Sequence, residues 1–67
     1  MTNTLKLKFA MGKSGLSQGL IAELLGISAQ VLEAKVNGDR EFMASEIRRL
    51  YDILNLNNQS VMEIFFQ

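Results

Sequence analysis

The sequence predicts an all-α domain of five short helices with a helix-turn-helix at its centre. Three observations predict it. Apolar residues recur at three- and four-residue spacings, while β-branched and aromatic residues are too sparse for a sheet. Punctuation comes from Gly, Asn and Ser, with no proline, low-complexity stretch or internal repeat among 67 residues. Between residues 17 and 38, two short apolar stripes flank a single glycine, Gly26.

The first helix is expected from about Thr4 to Lys13. Leu5 and Phe9, four apart, supply its inner side, with Met11 and Leu7 as further candidates, and Gly12 to Gly15 break it. The second runs from Ser17 to Leu25. Ser17 is placed to cap free backbone N–H groups, and Leu20, Ile21, Leu24 and Leu25 form a wide apolar face. Gly26 ends it, because glycine enters the left-handed region without steric penalty. The third runs from Ser28, again a cap, to Val36, with Leu32 and Val36 inward and Asn37-Gly38 as its stop. The fourth runs from about Ala44 to Leu54, where Ile47, Leu50, Tyr51 and Leu54 follow the i, i+3, i+4, i+7 pattern. The fifth is short, from Ser60 to about Phe66. Ser60 and Glu63 match a capping box, and Met62, Phe65 and Phe66 give it a face to dock. Short connections between short helices imply one compact domain spanning residues 1–67.

Composition narrows the function. Forty-eight per cent apolar residues argue for folding rather than disorder. The absence of cysteine rules out a disulfide framework and a thiolate metal site. No apolar run reaches the ~18 residues of a bilayer span, and the N-terminus lacks the charged-then-apolar order of a signal peptide, so a cytoplasmic protein without membrane association is expected. Enzymatic chemistry finds no footing. There is no histidine or cysteine, the carboxylates are scattered, and no metal set or cofactor motif is visible. Gly12-Lys13-Ser14 lacks both the upstream glycine spacing and the strand of a phosphate loop. Seven basic and seven acidic residues cancel, which is unusual for a nucleic-acid binder. They are unevenly spread. Residues 1–40 carry five basic against three acidic side chains, and residues 41–67 carry two against four.

The stretch Ser17–Gly38 holds the most specific signal. Ala22 leaves room for a close helix crossing, Gly26 makes the tight turn, and Ile27 and Leu32 plug the angle between the helices. The steric logic is that two helices meeting at about 90–120° leave little space where they cross. With Leu16-Ser-Gln18, Leu25-Gly-Ile-Ser28, Asn37-Gly38 and Ser45-Glu-Ile47 through Ile53-Leu-Asn-Leu56, this pattern resembles the Cro- and repressor-type (XRE-like) helix-turn-helix family of phage and prophage regulators. The resemblance covers about Leu5 to Leu56. The segment Lys35 to Phe42 resembles a subgroup in which Lys-aliphatic-Asn-Gly precedes a basic, phenylalanine-containing loop.

The resemblance implies a lambda-repressor-like five-helix domain whose third helix lies in the major groove of a double-stranded DNA operator, bound as a homodimer on a short palindrome. Residue by residue, it implies that Gln18 bonds a phosphate and that Ser28, Ala29, Gln30, Glu33 and Ala34 line the groove-facing side. Gln30 would be the best base reader, since its amide pairs bidentately with adenine. Ala29 and Ala34 suit thymine methyl groups. Asn37 matches a backbone-contacting position, and Lys13, Lys35 and Arg40 are phosphate candidates. Departures from the family are the two alanines and Glu33 on the reading side, Lys35 at a usually aliphatic position, and Met43 where Ser or Thr often caps the fourth helix. Glu33 repels phosphates unless it accepts from a cytosine amine. The alternative is a protein-interaction module on the same fold, binding and modulating a partner regulator. The apolar end of the chain, Val61, Met62, Phe65 and Phe66, would then serve either as a docked helix or as a dimer seam.

Overall fold

A computed structural model describes residues 1–67, and it is helical throughout, with no strand. Helix α1 spans Thr4–Ser14, α2 Gln18–Leu25, α3 Ala29–Val36, α4 Ala44–Ile53 and α5 Asn58–Phe65. Four of the five begin on a side chain that accepts from the first turn. Asn3 accepts from the Lys6 N–H, Ser17 from Leu20, Ser28 from Val31 and Asn57 from Ser60. Each cap removes one orphan donor and is worth about 1 kcal/mol. Helix α4 starts differently. Met43 offers no side-chain cap, and the Glu46 carboxylate reaches back to accept from the Met43 N–H at 2.8 Å.

The α2–α3 connection is three residues long. Gly26 sits at φ +74°, and the N–H groups of Gly26 and Ile27 donate to the carbonyls of Glu23 and Ala22, 3.0 Å each. That closure satisfies the end of α2 while the chain turns, and only glycine adopts this φ freely.

One core unites the helices. Leu7 and Met11 enter from α1, Ile21, Ala22 and Leu25 from α2, Leu32 and Val36 from α3, Leu50 and Leu54 from α4 and its C-cap, and Ile64 and Phe65 from α5. Helix α2 packs on α3 and α4, α1 on α3 and α5, and α4 on α5. The chain's start is tied down twice. The Asn3 N–H donates to the Ile64 carbonyl and the Thr4 hydroxyl to the Val36 carbonyl at 2.7 Å. No helix is long and apolar enough to cross a membrane.

Three sequence expectations need correction. The buried face of α2 is narrower than expected, made of Ile21, Ala22 and Leu25, with Leu20 and Leu24 exposed. In α1 the inner pair is Leu7 and Met11, whereas Leu5 and Phe9 are 81% and 69% exposed. Both pairs have helical spacing, so periodicity alone does not choose between them. Helix α5 begins two residues earlier than expected, capped by Asn57 rather than Ser60. Glu63 is therefore no capping-box partner. It accepts from the Gln59 amide at 3.1 Å and pairs with Lys6 at 3.5 Å. On the same helix Met62 and Phe66 point outward, and Ile64 and Phe65 dock.

Candidate nucleic-acid interface

Helix α3 has two unlike sides because eight residues turn through little more than two helical turns. Leu32, Lys35 and Val36 face inward. Gln30, Glu33 and Asn37, spaced i, i+3 and i+7, fall on the opposite side and are exposed, while Ala29 is exposed at the first position of the helix. Glu33 has no ion pair, leaving a polar strip of amide, carboxylate and amide that is free of bound partners. Ala34 lies at the edge of this strip, half-buried, and its carbonyl accepts from the N–H groups of Asp39 and Arg40. The exposed Ser28 uses its oxygen as the helix cap, and its hydroxyl proton remains free to donate.

Of the phosphate candidates, Arg40 is exposed on the segment joining α3 to α4. Gln18, exposed at the first position of α2, shares a shallow depression with Lys8, Gly12 and Val36. Lys8 thus joins Gln18 near the end of α3. The sequence alone assigned Lys8 no role. The correct rotation of α1, with Leu7 and Met11 inside, is the signal that would have singled it out. Lys13 lies over the Phe9 ring at 5.6 Å and lines a separate groove between α1 and the α4–α5 corner.

Lys35 is the clear correction. It is 4% exposed, and its ammonium donates to both Glu46 carboxylate oxygens at 2.5 and 2.7 Å. A side chain so enclosed and engaged does not contact phosphate. Burial raises the Glu46 pKa. The hydrogen bonds from Lys35 and the Met43 N–H, with the charges of Lys35 and Arg40, outweigh that and hold it below its ordinary value. Lys35 also lies 6.0 Å from the Phe42 ring, which meets Phe65 edge-on at 5.5 Å. Lys35 therefore locks the base of α3 to α4, and Phe42 extends that contact to α5. No three metal-ligating side chains converge anywhere in the fold.

The exposed strip can exchange hydrogen bonds with a flat polar edge. Its amides both donate and accept, and the carboxylate accepts only. It carries no guanidinium or ammonium group. No family model matches the chain, and no curated protein or solved structure shows significant similarity to it.

Proposed function

We propose that the chain is a sequence-specific DNA-binding regulator with a lambda-repressor-like helix-turn-helix, α3 reading the major groove and α2 lying across the backbone. The observation that carries this reading is the strip Gln30, Glu33 and Asn37, held outward by a helix whose other side is locked into the core, with Ala29 exposed at its start. Gln30 reads adenine, Glu33 accepts from a cytosine amine, and Ala29 meets a thymine methyl. Gln18, Lys8 and Arg40 hold phosphates, and a homodimer on a palindrome places two α3 helices about one DNA turn apart.

The charge distribution makes this reading quantitative. With Lys8 and Arg40 as the two cations per protomer at the backbone, log affinity falls against log salt with a slope of about −1.8 per protomer, or about −3.6 for a dimer. The test is a titration against random genomic fragments at low and moderate salt, with helicity followed by circular dichroism. A defined palindromic site weakening with that slope is expected. Gln30→Ala should fold normally and lose about 1–3 kcal/mol of specific binding. A folded chain that ignores DNA at low salt overturns the reading. In that case the protein-interaction module takes its place, favoured by the zero net charge and by exposed Leu5 and Phe9.

A further inference from the structure

The outer side of α1 and the α4–α5 corner enclose an open groove of about 490 Å³. Ala10, Leu54, Leu56 and Ile64 line it with apolar surface, and Leu5 and Phe9 form one wall. These two lie one helical turn apart and are the most exposed large apolar side chains within any helix. The groove shares no residue with α2 or α3.

Its lip carries two lysines of α1, Lys6 and Lys13. Lys13 has no carboxylate partner and sits over the Phe9 ring. The one acid at the groove, Glu63, is already shared between Lys6 and Gln59. An isologous pairing of two copies through this surface would offer Lys13 no acid except a Glu63 already shared by Lys6 and Gln59, so the charge does not favour a second copy of this chain. A concave apolar slot beside the unpaired ammonium group of Lys13 fits a helix laid along it, with apolar side chains in the slot and a carboxylate at the lip.

We propose that this groove docks an acidic amphipathic helix of another protein, anchored on Leu5 and Phe9 and oriented by Lys13. The site is independent of the DNA-binding reading and stands whichever way that reading is decided. Lys13, a phosphate candidate in the sequence, here has a protein carboxylate as its partner.

The experiment uses the whole chain, labelled for NMR, and two synthetic helical peptides of about 15 residues. Both carry Leu and Phe one turn apart; one is flanked by glutamates, the other by lysines. Chemical-shift changes confined to Leu5, Phe9, Leu56 and Ile64 are expected, with the acidic peptide binding at least about tenfold tighter than the basic one. Phe9→Ser, at an exposed position that leaves the fold intact, should weaken the acidic peptide by about tenfold, and Lys13→Glu should shift preference toward the basic peptide. Equal binding of the two peptides, or shifts elsewhere, overturns the proposal. So does concentration-dependent self-association through Leu5 and Phe9 without peptide. Binding of the chain to phosphatidylserine–phosphatidylcholine vesicles, abolished by Phe9→Ser, would also overturn it in favour of a lipid surface.

Discussion

The α2–turn–α3 unit and the α1–α5 side are built from the same materials, yet they resolve their apolar residues differently. In the first, the caps, the turn and the inner stripe of α3 agree, and only the outer half of the α2 apolar face, Leu20 and Leu24, stays exposed. Ser17 and Ser28 cap, Gly26 turns left-handed, and α3 has only one inner stripe. In the second, α1 alternates Leu5-Lys6-Leu7-Lys8, so Leu5 with Phe9 and Leu7 with Met11 are equivalent on spacing. What separates the pairs is non-local. The chain start is bonded to α5 through Asn3 and to α3 through Thr4, and with those ties made, Leu7 and Met11 are the pair inside. Periodicity therefore places a helix where its stripe is unique, and tertiary ties place it where two stripes compete.

The largest expected effect probes the better-defined region. Lys35→Met removes the partner of a carboxylate that is itself only 7% exposed, and should cost about 3–5 kcal/mol near neutral pH. Acid titration gives a sharper signature. In the native protein Glu46 is held below its ordinary value of 4.5, so its contribution is full above that value and disappears as pH falls through its folded pKa. Lys35→Met removes two of the influences that lower the Glu46 pKa and leaves the Met43 N–H bond and the Arg40 charge against burial. The depression shrinks, and the variant loses less stability than the native protein as pH falls through the carboxylate range. Urea melts of both proteins at about pH 7 and about pH 4 should show a shallower loss in the variant. Parallel slopes would mean that the pair does not govern Glu46.

A paired truncation then tests the rotation of α1 directly. Leu7→Ala empties a fully buried site and should cost about 2–5 kcal/mol. Leu5→Ala, the same chemistry two residues away, should stay within about 0.5 kcal/mol. Denaturant midpoints decide the matter, and equal costs would place the helix in a different rotation.

These contrasts show where sequence reasoning reaches its limit. The five helices, the three-residue turn at Gly26 and the inward course of Leu32 and Val36 were legible because caps, turn chemistry and stripe coincide. The α5 start was misplaced because Asn57 and Ser60 are both competent caps, and the choice depends on where Ile64 and Phe65 dock. Lys35 was misread because a lysine near a helix end looks solvated. Its partner, Glu46, lies 11 residues away on another helix, and nothing local marks the two as a pair. Conversely, Gln30, Glu33 and Asn37 were legible as one strip because they follow from the phase of α3, which Leu32 and Val36 set. The groove at Leu5 and Phe9 was invisible for the same reason that the α1 core was misassigned.

The smallest effects come from one substitution made on each side of the comparison. Gly26 and Gly12 both have open space where a Cβ would stand, so neither change creates a clash. They differ in backbone. Gly26 sits at φ +74°, and Gly12 lies in the interior of α1 with ordinary helical conformation. Gly26→Ala forces an L-residue into the left-handed region and should cost about 1–2 kcal/mol. Gly12→Ala removes unfolded-state freedom from a helical position and should stabilise by about 0.5–1 kcal/mol, raising the melting temperature by a few degrees. Opposite signs of thermal shift are the expected result. A stabilising Gly26→Ala would show that the turn relaxes to a right-handed closure, and the angle between α2 and α3 would no longer be set by that glycine.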